Sequence, residues 1–197
     1  RDRKERYGHA SSGPYRGGKR DLYEGGHRVP FVVRWPAKVR AASRSDTTIC
    51  QTDLLATFAE LLGARLPADA GEDSFSLLAD LYGEERSERR APVIHHSGAG
   101  YFAVRDGRWK LLLGRGPQGK RRVANGQLLY ELYALERDPG EQDNLAKQHP
   151  AVVEQLVQRI TELVEDGRSN AGPKQANHGR WWPQLSWIKG PAGSGKR

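Results

Sequence analysis

The chain has no methionine and a single cysteine, Cys50, among its 197 residues. One thiol excludes an internal disulfide framework and a multi-cysteine zinc site. Its neighbourhood, TTICQTDLLATF, is apolar and runs into a helical pattern, so Cys50 reads as a buried structural thiol. No run of about 18 apolar residues occurs, so no membrane span is expected. The opening RDRKERYGHA lacks the apolar centre of a signal peptide. The missing initiator methionine fits a piece of a longer protein. No H-x-x-x-H or H-E-x-x-H occurs, so spacing alone names no metal ligands.

Acidic residues are absent from the last thirty positions, which hold six Lys/Arg for a charge of +6. The first twenty carry +5, which leaves −3 for residues 21–167 out of the total of +8. The basicity therefore belongs to the two ends, and no nucleic-acid partner is expected from it.

What is present is a succession of short elements. RVPFVVRWPAK, with β-branched and aromatic residues from Val29 to Trp35 between prolines, predicts a short buried strand. A helix follows, with Thr52 or Asp53 to cap it. Leu54, Leu55, Phe58, Leu61 and Leu62 form its apolar stripe, and Gly63 stops it. SLLADLYG predicts a short helix closing at Gly83. EERSERR reads as a solvated charge run. From Ala91 the pattern alternates, with an Asp106-Gly107 turn between two apolar runs, a hairpin signal. PQGKRRVANGQ reads as a polar loop and LLYELYAL as a further strand. HPAVVEQLVQRITELVEDG predicts a helix with Pro150 in its first turn. Val153, Leu156, Ile160, Leu163 and Val164 make its face, and Gly167 ends it. The expected organisation is the end of an α/β layer over 1–66, a linker with a short helix over 67–90, an antiparallel sheet with a helix over 91–167, and a basic Gly/Pro/Trp tail over 168–197.

Three constellations carry possible chemistry. GPAGSGKR, from Gly190, matches the spacing of a phosphate-binding loop. Arg197 stands where Ser or Thr is needed, and no helix follows, so it reads as a basic tail. Trp181, Trp182 and Trp187 either pack the tail onto the body or stack on bases or sugars, and packing is the favoured reading. His95 and His96 are adjacent at a strand end and point to opposite faces, so they cannot chelate one metal together. The most unusual run is SSGPYRGGKRDLYEGGHRVP, residues 11–30. Gly17 and Gly18 let backbone approach an anion closely, and Lys19 adds a compact, three-donor charge.

The stretch GHASSGPYRGGKRDLYEGGHRVPFVVRWPAKV, then FAVRDGRWKLLL and ELYALERDPGEQDNLA, closely resembles the sulfatase family over residues 8 to about 167. The resemblance implies the end of an alkaline-phosphatase-like α/β sandwich followed by a small α+β C-terminal subdomain with an antiparallel sheet and packed helix. It implies a sulfuric ester hydrolase, arylsulfatase-like, acting on aryl or carbohydrate sulfate esters. It carries Lys19 over as the sulfate-contacting, catalytic lysine, with His9, His95 and His96 bordering the substrate pocket. Glu24 and Arg28 are carried over as residues supporting the same motif. The family uses a formylglycine made from C/S-x-P-S-R and a Ca²⁺ ion held by Asp and Asn. No such motif occurs here, and Asp2 is followed by Arg3 rather than Asn. The expectation is a C-terminal third, inactive alone, whose nucleophile and calcium ligands lie upstream. Exported localisation is implied by the family. Two alternatives stay open: a phosphate or phosphonate ester hydrolase of the same superfamily, and a non-catalytic module that binds sulfated polyanions through its basic ends.

Overall fold

Gly107 turns the chain with φ 56°, a left-handed conformation that glycine enters without steric cost. On either side run β2 (Phe102–Asp106) and β3 (Trp109–Leu113), paired antiparallel from Asp106↔Trp109 to Phe102↔Leu113. The hairpin read from the sequence is therefore present. The computed structural model describes residues 7–86, 89–114, 123–124, 127–176, 182, 185 and 187–188. Their contacts divide them into one unit drawn from 1–29, 94–161 and 179–197, and a second drawn from 30–93 and 162–178.

The first unit is built on a four-stranded sheet in the order β1-β2-β3-β6, with β1 at Val93–His96 and β6 at Tyr130–Ala134. β6 runs antiparallel to β3, with Lys110 opposite Tyr133 and Leu112 opposite Glu131. Side chains alternate across the sheet. One face therefore presents Ala103, Arg105, Lys110, Leu112, Glu131 and Tyr133. Ala103, Leu112 and Tyr133 from this face pack with Leu22, Tyr23 and Leu135 in one buried cluster. The sheet is thus the wall against which the segment just after Lys19 is packed. Within the stretch read as a polar loop, β4 (Val123–Ala124) pairs with β5 (Gln127–Leu128).

The C-terminal helix follows its pattern: it spans Pro150–Asp166, buries Val153, Leu156, Ile160 and Leu163, and ends at Gly167 with φ 64°. Arg168, which opens the expected tail, is buried and donates to the carbonyls of Ala68, Asn170, Ala171 and Pro173.

The second unit departs from expectation. Residues 29–35 form no strand, and Val29, Phe31 and Val33 are exposed, with Val32 88% exposed. Among the described residues, nothing hydrogen-bonds to the backbone of 29–34. An extended segment is buried only when strands or helices flank it, and apolar composition alone does not supply them. The helix after it spans Asp53–Leu61, but its stripe faces outward: Leu55, Phe58, Leu61 and Leu62 are exposed. Its buried face is Asp53, Thr57 and Ala59. Neither predicted cap operates. Thr52 donates to the Asp73 carbonyl at 3.3 Å, and Asp53 Oδ2 accepts the Cys50 N–H at 2.8 Å.

Asp53 is fully buried and takes a bidentate pair from Arg90 at 2.8 and 3.0 Å. Arg86 pairs with Asp80. The charge run is thus partly inward-facing rather than solvated. The short helix Leu78–Tyr82 closes at left-handed Gly83 as read. This unit also holds a cavity of about 710 Å³ whose walls include Phe31, Trp35, Arg40, Arg44, Asp80 and Leu81.

Candidate anion site around Lys19

The Lys19 loop is shaped by its glycines. Gly17 and Arg20 both have φ 77°, and for arginine that conformation is strained. Gly25 and Gly26 open the four-residue helix Glu24–His27 to close contact with the loop. A Cβ on Gly25 would stand 2.5 Å from the Gly17 carbonyl oxygen, and one on Gly26 would stand 2.3 Å from that of Asp21. Those approaches leave no room for a side chain. Hydrogen bonds then close the turn: Gly25 N–H to Arg16 O at 2.8 Å, Gly26 N–H to Tyr23 O at 2.8 Å, and Asp21 N–H to Gly18 O at 2.9 Å.

Behind the helix sits a buried charge cluster. Lys110 is fully buried and lies 2.9 Å from Glu24 Oε1 and 3.0 Å from Glu141 Oε1. The first contact is a hydrogen bond and the second an ion pair. Glu141 Oε2 accepts the backbone N–H of Glu24 at 2.6 Å. Arg28 and Arg105 each approach Glu24 Oε2 at 3.5 Å. Burial would raise the Glu24 carboxyl, but Lys110 and then the two arginines hold it below the ordinary glutamate range. Burial dominates at Glu141, which is raised.

The other end of the loop is tied down by Arg16. Its Nη1 donates to the Glu141 carbonyl at 2.7 Å and to the Tyr133 hydroxyl at 3.1 Å, and its guanidinium lies 4.0 Å from the centre of the Tyr23 ring. Tyr23 and Tyr133 both donate to Glu131 Oε2, at 2.7 and 2.6 Å. Burial and the Glu131 bond push the Tyr133 phenol up.

Lys19 itself is exposed, and among the described residues no hydrogen bond or ion pair occupies its ammonium. His95 and His96 diverge as strand geometry requires. His95 stacks on His27 with ring centroids 4.5 Å apart. His96 packs on Phe102 and Trp182, at 5.2 and 4.7 Å. The backbone after β1 reaches the Lys19 loop, with Gly98 N–H donating to Arg20 O at 3.2 Å. The structure therefore brings His27 and His95 together and places His96 in an aromatic cluster. His9 is exposed and joins neither. Burial first, then the positive charge of Lys110, lowers His27 to about 4, so its imidazole is neutral near pH 7. Trp187 contacts Phe102 and donates to Thr161 at 3.1 Å, so Trp182 and Trp187 pack onto the first unit. Trp181, Asp2, Arg3 and the Gly190–Lys196 run lie outside the described residues.

A family model for the C-terminal part of N-sulphoglucosamine sulphohydrolase matches residues 16–166. The chain belongs to the sulfatase family. The N-acetylgalactosamine-6-O-sulfatase of Bacteroides thetaiotaomicron is 37% identical over 163 residues, covering 80% of this chain and 30% of that protein. Human arylsulfatase A is 32% identical, covering 85% of this chain and 37% of its own length. Among solved structures, a B. thetaiotaomicron protein from a study of glycosaminoglycan metabolism superposes with a TM-score of 0.65 at 35% identity, over 77% of this chain and 32% of that one. Ps i-CgsB in complex with a neocarrahexaose superposes at 0.62 and 25% identity, over 83% and 34%. This sulfatase chain thus spans about a third of the length of these relatives, and it matches their C-terminal part.

Calcium needs six to eight oxygen ligands. Among the described residues no group of three or more His, Cys, Asp or Glu could hold a metal ion. These residues do not fit a calcium site, and no catalytic step is assigned to a metal on them. No helix among them is long and apolar enough to cross a membrane. Sequence reading missed Arg16, His27, Lys110 and Glu141 as members of the site. The one local signal was a lysine inside the apolar strand WKLLL.

Proposed function

We propose that the protein carrying this chain hydrolyses sulfate esters, and that Lys19 is this chain's contribution to binding the sulfate. The observation that carries the reading is an ammonium with no hydrogen bond or ion pair among the described residues, on a loop with one end held by a part-buried hydrogen bond and the other by a buried one. As the ester S–O bond breaks, negative charge grows on the leaving oxygen and the sulfate oxygens. An ammonium carried on a fixed backbone stabilises that charge with little reorganisation. His95 with its partner His27 forms the neighbouring wall, and the neutral imidazole of His27 can hydrogen-bond the hydroxyls of a substrate. His9 and His96 remain weaker members of this proposal, and Glu24 and Arg28 support the loop from beneath. The formylglycine nucleophile and Ca²⁺ belong to segments outside this chain, and the 197 residues alone are inactive. The name of the N-acetylgalactosamine-6-O-sulfatase favours a sulfated carbohydrate over the steryl sulfates that other relatives' names carry, and an exported location is proposed with that substrate.

The test is Lys19→Ala in the longer protein. The expected loss in kcat is about 10²–10³-fold, the scale of removing one preorganised donor. The substitution is at an exposed residue, so folding should be unchanged. Near-normal turnover removes Lys19 from the site. Comparing sulfate and phosphate esters of one phenol separates the phosphate alternative. The polyanion-binding alternative would show as retention of the 197-residue chain on heparin that is lost on removal of 168–197.

A further inference from the structure

We infer that Lys110, Glu141 and Arg16 act as positioning residues for Lys19, forming a clasp that receives both ends of its loop on one residue. This inference rests on the sulfate-ester reading of Lys19. Arg16 lies three residues before Lys19 and Glu24 five after. Both are bound by Glu141: the Arg16 side chain by its carbonyl at 2.7 Å, the Glu24 N–H by its carboxylate at 2.6 Å. Glu141 does this from a left-handed backbone, φ 52°. A non-glycine residue keeps that conformation only where its surroundings over-determine it. Lys110 supplies the surroundings. Fully buried on β3, it bridges Glu24 and Glu141 and so locks the keystone carboxylate to the sheet. The sheet is stiff and hydrogen-bonded on both sides of Lys110. Lys19 has no bond of its own among the described residues, so the clasp sets the position of its backbone.

The clasp makes a prediction that a purely stabilising role does not. Amide exchange in the 197-residue chain is measured for wild type, Arg16→Gln, Glu141→Ala, Glu141→Gln and Lys110→Met. Arg16→Gln acts at an exposed residue and keeps the buried charges intact, so it tests the clasp even if Lys110→Met fails to fold. In Arg16→Gln and Glu141→Ala, exchange at Asp21, Gly25 and Gly26 should rise by roughly tenfold or more, while Leu111 and Leu112 on the central strand stay protected. Glu141→Gln keeps an oxygen for the Glu24 N–H and should restore most of the loop's protection. In the longer protein, Arg16→Gln and Glu141→Ala should lower kcat on a sulfate ester by about 100-fold, the scale of a 1 Å misplacement. KM should move less than kcat. Ile160→Val, a core change of comparable instability, should leave kcat unchanged. Unaltered loop exchange overturns the clasp. So does a rise shared equally by loop and sheet, or full kcat in Arg16→Gln. If the wild-type longer protein has no sulfate-ester turnover, the sulfate-ester reading fails while the exchange data still decide whether the clasp fixes the loop.

Discussion

Residues 22–24 and residues 31–33 differ in a way that inverts the usual rule of polarity. Leu22, Tyr23 and even the carboxylate of Glu24 are buried, whereas Phe31, Val32 and Val33 stand in solvent. The first stretch meets a sheet face that offers a hydrophobic slot beside an ammonium for its charge. The second meets no strand among the described residues. Burial follows the partner that a segment finds, and polarity decides only what burial is worth once the partner is there.

The sharpest way to break this contrast is to remove the partner of a buried charge. Lys110→Met leaves two buried carboxylates facing each other and should cost about 3–5 kcal/mol in chemical denaturation of the 197-residue chain. A loss under about 1 kcal/mol would mean that the charge cluster is not buried as described. Leu22→Ala should follow at about 2–5 kcal/mol. Gly26→Ala comes next: its new methyl meets the Asp21 carbonyl, for a cost of about 1–3 kcal/mol. Gly18→Ala meets nothing within 4 Å and should be tolerated far better. Equal costs for the two glycines would sink the close-contact account.

A fourth measurement uses pH. Folded His27 titrates near 4 against an ordinary 6.5. Between those values the unfolded chain binds a proton that the folded chain refuses, so stability should rise with pH across that window and fall as pH drops through it. His27→Gln should flatten the slope of urea midpoint against pH. The smallest effects belong to the other stretch. Val32→Thr and Leu62→Gln should each change stability by no more than about 0.5 kcal/mol. A larger loss would show that these residues are covered in solution.

Much of the fold was legible because it depends on local chemistry. Asp106-Gly107 specifies a turn, Pro150 and Gly167 bracket a helix, and Gly83 closes another, each through backbone preferences of the residues themselves. The strand at 29–35 and the outward stripe of Asp53–Leu61 were misread because apolar spacing reports what a segment can bury, and says nothing of what is there to bury it. At the site, the glycines and Lys19 stood out in sequence, and alternation correctly sent His95 and His96 to opposite faces. Lys110, Glu141 and Arg16 did not stand out. They lie 86 to 125 positions from the loop residues they hold, or, for Arg16, from the residues that hold it. A charged residue reads as surface until its counter-ion is known.

Glu141 receives Arg16 on one side and Glu24 on the other, and this has a consequence for length. The segment between those two anchors behaves as a closed ring of fixed circumference. The number of its residues cannot change without unfastening one anchor. Surface connections elsewhere tolerate added residues at little cost. In this ring a single insertion would shift the lysine relative to everything else in the unit, so spacing constrains the site as its side chains do.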